Sequence, residues 1–228
     1  MCRYATKQQI KKTIVGGQKM DPLEYIVPNR KRLPYGMMNF AVIRREDYYY
    51  VDKTRFILLI EQADRFFFFI RPRRFGKSLT LNILQHYYDV NTRDKFDDLF
   101  GGLYIGEHPT PNRNSYLVLY LNFSGISGEL NDYRKGLDEH CGTTIESFCK
   151  KYADLLPPDT WEELHTKSGA VAQLEFIYQA CERAGQKMYL FIDEYDHFTK
   201  LSSSIPKVYA DTLTRRMAKV ICGIYSTR

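Results

Sequence analysis

The chain has 228 residues, enough for one large domain or a domain with an appendage, and its 44% apolar and 14% aromatic content lets a sizeable core be buried. Five cysteines (Cys2, Cys141, Cys149, Cys181, Cys222) show no CxxC pair and no histidine at ligand spacing, which argues against a zinc site or a disulfide framework and for a reducing compartment. No apolar stretch approaches the ~20 residues that span a bilayer and the N-terminus lacks the apolar core of a signal peptide, so a soluble cytoplasmic protein without membrane contact is expected.

The net charge of +6 is unevenly spread. Residues 1–33 carry eight Lys/Arg against Asp21 and Glu24, while the remaining 25 basic and 25 acidic residues cancel. The basic balance therefore belongs to an N-terminal arm, a candidate contact for nucleic acid or an acidic protein partner; the alternative is a solvated tail. Gly16-Gly17, Pro22 and Pro28 interrupt any pattern over residues 1–32, which read as a weakly ordered extension. Leu33-Pro34-Tyr35-Gly36 opens the folded part, residues 33–228. Residues 40–46 suit a short helix. The Tyr/Val run over residues 48–51 reads as a short strand, with Asp52 or Thr54 placed to cap a helix that includes Phe56, Leu59 and Ile60.

Residues 66–70 are an apolar run, residues 79–88 an amphipathic segment, and between them stands Arg71-Pro72-Arg73-Arg74-Phe75-Gly76-Lys77-Ser78. Strand, tight loop and helix are the setting of a phosphate-binding loop. Successive backbone N–H groups face phosphate oxygens there, the lysine reaches the terminal phosphates, and the following hydroxyl holds magnesium. Gly76, Lys77 and Ser78 fit that pattern, whereas Arg71 stands where the first glycine belongs. The candidate phosphate-binding set is Pro72, Arg73, Arg74, Phe75, Gly76, Lys77, Ser78 and Leu79; an ordinary turn capping a helix is the alternative.

Beyond the loop, residues 94–105 read as a helix ending at glycine, and Pro109, Pro111 and Asn112 mark a loop. Residues 116–123 read as a buried parallel strand, with Ser124 at its end. Leu130, Tyr133, Leu137, Cys141, Ile145, Phe148 and Tyr152 recur every three or four residues along one face of a long helix. Pro157-Pro158 breaks it, Asp159 or Thr160 starts the next, and Leu164, Val171, Leu174, Tyr178 and Cys181 form a second core stripe ending at Gly185. His140, His165 and His197 have no evident partners and are read as structural.

Residues 188–192 form an apolar run that leads directly into Asp193-Glu194, as expected of a buried strand with acids at its carboxyl end. Asp193 is a candidate magnesium ligand alongside Ser78, and Glu194 a candidate base that orients water; with Lys77 it makes up the candidate catalytic pair. Residues 205–217 suit a further helix and 219–224 a further strand.

Taken together, Leu33-Pro34-Tyr35-Gly36, Tyr49-Tyr50-Val51-Asp52-Lys53-Thr54, Arg71 through Ser78, and Ile192-Asp193-Glu194-Tyr195-Asp196 resemble the AAA-ATPase-like family of bacterial proteins over about residues 33–200. The resemblance implies a P-loop α/β domain, with a mostly parallel sheet, helices on both faces, and ATP and Mg²⁺ as cofactors. It also makes Arg-Pro-Arg-Arg before Phe-Gly-Lys-Ser a family feature. Leu99 to Ile105 and Phe123-Ser124-Gly125 resemble further family segments. Many members join this module to a C-terminal restriction-type nuclease domain. Only 32 residues follow Asp196, so that domain is not expected and the chain reads as C-terminally truncated. Cys222-Gly223 stands where the family has Thr-Gly, a polar sensor of the γ-phosphate. Three functions follow: a magnesium-dependent ATPase, a nucleotide-gated binding module without turnover, or a nucleic-acid-binding fragment. An oligomer is left open.

Overall fold

A computed structural model describes residues 14–15, 18–19, 31–63, 67, 69, 75–125 and 130–194, excepting the side chains of 14–19, 125 and 130–134. Outside the described residues lie most of the expected strand at 66–70, loop residues 71–74, His197, and the helix and strand expected over 205–217 and 219–224. The chain divides into two units, Met1–Val51 and Asp52–Arg228.

In the first unit, β1 (Ile14–Val15) and β2 (Gln18–Lys19) form a short antiparallel ladder, with Ile14 opposite Lys19 and Val15 opposite Gln18. Helix α1 (Phe40–Arg45) begins where the Asn39 side chain accepts the Val42 N–H at 3.1 Å, and it buries Phe40, Ala41 and Ile43. The strand expected over residues 48–51 does not form. Tyr48 N–H instead closes back on Ile43 O at 3.0 Å and Tyr49 N–H bonds Arg32 O at 2.8 Å, while Tyr49 and Val51 stay exposed. A β-rich composition does not make a strand without a partner ladder.

The second unit contains α2 (Phe56–Gln62), α3 (Lys77–Tyr88), a 3-10 segment Val90–Lys95, α4 (Phe96–Phe100), α5 (Tyr104–Glu107), β3 (Tyr116–Asn122), α6 (Leu130–Lys151), α7 (Thr160–Leu164), α8 (Ala170–Arg183) and β4 (Lys187–Asp193). Asp52 and Thr54 do cap a helix, but not α2. Asp52 Oδ2 accepts the Tyr104 N–H at 2.8 Å and Thr54 Oγ1 accepts the Ile105 N–H at 3.1 Å, so both serve the start of α5. The second stripe also splits. Gly169, at φ 83, separates α7 from α8, Val171 is 37% exposed, and the buried face of α8 is Leu174, Phe176, Ile177, Ala180 and Cys181.

Strands β3 and β4 pair in parallel, with Tyr116 opposite Lys187 and Asn122 opposite Asp193. Alternation along a strand sends successive side chains to opposite faces. Leu117, Leu119, Leu121, Met188, Leu190 and Ile192 face one way, into a core made with α6, α7 and α8. Tyr116, Tyr120, Asn122, Tyr189, Phe191 and Asp193 share the other face. There Tyr88 of α3 stacks on Tyr189 at 4.9 Å and meets Tyr116 edge-on at 5.5 Å. Helices thus cover both faces of a parallel pair, an α/β arrangement.

One buried polar knot ties these layers together. Asp89, just past α3, accepts Tyr152 OH at 2.9 Å and Asn91 N–H at 2.9 Å, and pairs with Lys151. Tyr152 OH in turn accepts the Val118 N–H at 2.9 Å. A side-chain hydroxyl thereby satisfies a backbone donor on the edge of β3 that a further strand would otherwise occupy.

Candidate functional site

The loop glycine begins a helix. Gly76 adopts φ 77 and ψ 24, a left-handed conformation that costs an L-residue about 1–2 kcal/mol, and it is the N-cap of α3. Among the described residues no side chain caps this end of the helix, and the first helical bond runs from Thr80 N–H to Gly76 O at 2.9 Å. The N–H groups of the first turn, at Lys77, Ser78 and Leu79, therefore stand at a helix N-terminus without a side-chain cap. That is the standard chemistry of an anion site: convergent donors plus the positive end of the helix dipole. Lys77 adds a cation at the first helical position, with Ser78 beside it; both are partly buried. Phe75 is 62% exposed.

The acidic pair sits where β4 stops. Asp193 is its last residue and only 5% exposed, yet its carboxylate is served on both oxygens. Oδ2 accepts Tyr120 OH at 2.8 Å, and Oδ1 accepts the backbone N–H of Glu194 at 2.9 Å. Glu194 lies just beyond the strand at φ 54, left-handed for a residue with a side chain, so the strand alternation no longer governs its direction. Burial, then the bond to Asp193 and its charge, hold the Tyr120 phenol above its usual range, and the charge of Glu194 adds to the shift. Tyr120 is thus a standing donor to Asp193, and both carboxylates act on one hydroxyl.

Sequence reasoning did not single out Tyr120. Its signal was the alternation itself, since Tyr116, Tyr120 and Asn122 carry polar atoms on the face that Asp193 shares across the sheet. Ser124 ends the strand region exposed, its N–H bonded to Asn122 Oδ1 at 2.9 Å.

For magnesium the donor set fits. Each Asp193 oxygen accepts one of these hydrogen bonds, leaving lone pairs on a hard carboxylate, and the Ser78 hydroxyl is a second hard oxygen. Among the described residues no group of three or more His, Cys, Asp or Glu could hold a metal by itself. The described cysteines offer no nucleophile. Cys141 and Cys181 are buried, and desolvation pushes their thiols up to about 12. His165 is occupied at the surface, with Nδ1 2.7 Å from Trp161 O and Nε2 3.6 Å from Glu146.

A family model described as "Predicted AAA-ATPase" matches residues 34–225. The chain belongs to this AAA-ATPase-like family. The AAA-ATPase-like segment thus takes in the Gly76-Lys77-Ser78 turn and the Asp193-Glu194 strand end alike. A protein of Azotobacter chroococcum mcd 1, described as "Uncharacterized protein in vnfD 5'region", is 35% identical over 169 residues, or 74% of this chain. The chain spans about 30% of the length of that relative. No solved structure matches. No helix among the described residues of this AAA-ATPase-like chain is long and apolar enough to cross a membrane.

Proposed function

We propose that this chain binds ATP with magnesium through a P-loop at Gly76-Lys77-Ser78 and hydrolyses it with the help of Asp193 and Glu194. The observation that carries the reading is the packing of Tyr88, at the end of α3, on the strand face that carries Asp193. Helix α3 ends at Tyr88, packed over Tyr116 and Tyr189 where the strands begin. It rises ~1.5 Å per residue over eleven steps, about 16 Å, and four residues of β4 from Tyr189 to Asp193 span about 13 Å. A helix of that length, laid back along the strands, starts close to where they end. In this proposal α3 runs back along the strands in that way, which brings its uncapped N-terminus and Asp193 to one crevice at the strand carboxyl ends, where α/β proteins take ligands.

Each group has one task in this proposal. The first-turn N–H groups and the loop backbone over residues 72–78 hold phosphate oxygens. Lys77 neutralises the β and γ phosphates. Ser78 and Asp193 hold magnesium, which when bound offsets phosphate charge. Glu194 accepts a proton from water aligned with the γ-phosphate.

Phosphate release separates turnover from binding alone. Glu194→Gln keeps size and polarity but removes the base, so it should retain ATP affinity and lower hydrolysis about 10²–10⁴-fold. A parent protein that holds ATP without releasing phosphate above background would instead be a nucleotide-gated binding module. Equal rates for parent and Glu194→Gln would remove Glu194 from the mechanism.

A further inference from the structure

We propose that Tyr120 is the positioning residue of the magnesium site: its hydroxyl fixes the Asp193 carboxylate in the orientation that metal binding requires. The inference rests on the reading of Asp193 as a magnesium ligand and deepens it. A lone aspartate at a strand end can rotate about two side-chain bonds, and ordering a side chain costs free energy that weakens whatever it binds. Here that rotation is already stopped from both sides. Tyr120 OH holds Oδ2 at 2.8 Å and the Glu194 N–H holds Oδ1 at 2.9 Å, which fixes the carboxylate plane before any ligand arrives. The donor at Oδ1 is backbone from the adjacent residue, so only the donor at Oδ2 depends on a side chain.

Sheet geometry explains why Tyr120 can do this. Asn122 is the residue directly opposite Asp193, and Tyr120 lies two residues back on the same face, opposite Phe191. A tyrosine is long enough to reach the next position along a neighbouring strand; the shorter Asn122 binds Ser124 N–H with its oxygen and also meets the Tyr120 hydroxyl. Tyr189 and Phe191 stack at 4.5 Å on this face. Magnesium tolerates little departure from octahedral geometry, so it is more sensitive than calcium to loss of such a prop. Hydrogen-bond partners of metal ligands carry about 10–100-fold in metal affinity.

The test uses Tyr120→Phe, which removes one oxygen and keeps the ring. Binding of a fluorescent N-methylanthraniloyl ATP is titrated without metal and then with magnesium, and thermal melts are recorded alongside. We expect metal-free affinity within about twofold of the parent and a magnesium half-saturation raised by about 10–100-fold. In an Asp193→Ala background the same Tyr120 change should add nothing, because the hydroxyl has lost the group it orients. The inference is overturned if Tyr120→Phe leaves magnesium half-saturation unchanged while Asp193→Ala shifts it, or if it weakens metal-free and magnesium-bound states equally. It is also overturned if the effect persists undiminished in the Asp193→Ala background. A parent that binds no nucleotide, or an Asp193→Ala variant with normal magnesium dependence, would refute the reading of the site itself.

Discussion

The two faces of the β3–β4 pair divide the labour of the second unit. Toward α6, α7 and α8 the strands present Leu117, Leu119, Leu121, Met188, Leu190 and Ile192, and the three β3 leucines are no more than 1% exposed. Toward α3 they present Tyr116, Tyr120, Asn122, Tyr189, Phe191 and Asp193. The first face is apolar, non-directional and closed. The second is aromatic and carries hydroxyls, with a carboxylate at its far end. Stability resides in a face of apolar side chains alone, and the candidate chemistry in a face that also carries polar ones.

This contrast can be broken by substitution. The largest stability effect is expected from Leu119→Ala on the closed face, where losing a fully buried leucine costs about 2–5 kcal/mol. Urea unfolding should show that loss, while ATP affinity of the folded protein stays within about twofold. A large affinity change at Leu119 would mean that the two faces are not separable. A smaller effect belongs to Tyr152→Phe, which strands the Val118 N–H and one acceptor of Asp89. Leaving buried polar groups unpaired costs about 1–3 kcal/mol. If Tyr152→Phe is neutral in the same unfolding assay, the knot is not what holds α3 and α6 to the edge of β3.

Much of this division can be read from the sequence, for identifiable reasons. The stripe from Leu137 to Tyr152 predicts the buried side of α6 because helical periodicity is local. The apolar runs of β3 and β4 predict parallel buried strands, which need no partner to be recognised. What escaped was non-local. Asp52 and Thr54 look like caps for the helix that follows them, but their oxygens serve α5, about 50 residues later in the chain. The Tyr/Val run at 48–51 has strand composition and no ladder to join. Tyr120 lies 73 residues from Asp193, and only the strand register brings them together. At the site itself, Gly76-Lys77-Ser78 and Asp193-Glu194 were legible as types, whereas the left-handed backbone of Glu194 was not.

Titrating ATP into the purified protein, with and without magnesium, against Lys77→Ala tests the central claim most directly. Lys77 carries the charge at the uncapped start of α3, and losing a charge-assisted contact to an anion costs roughly 1.5–3 kcal/mol. The account predicts at least about tenfold weaker ATP binding by a Lys77→Ala variant that folds normally, in both conditions. A folded Lys77→Ala protein that binds ATP as tightly as its parent would contradict it.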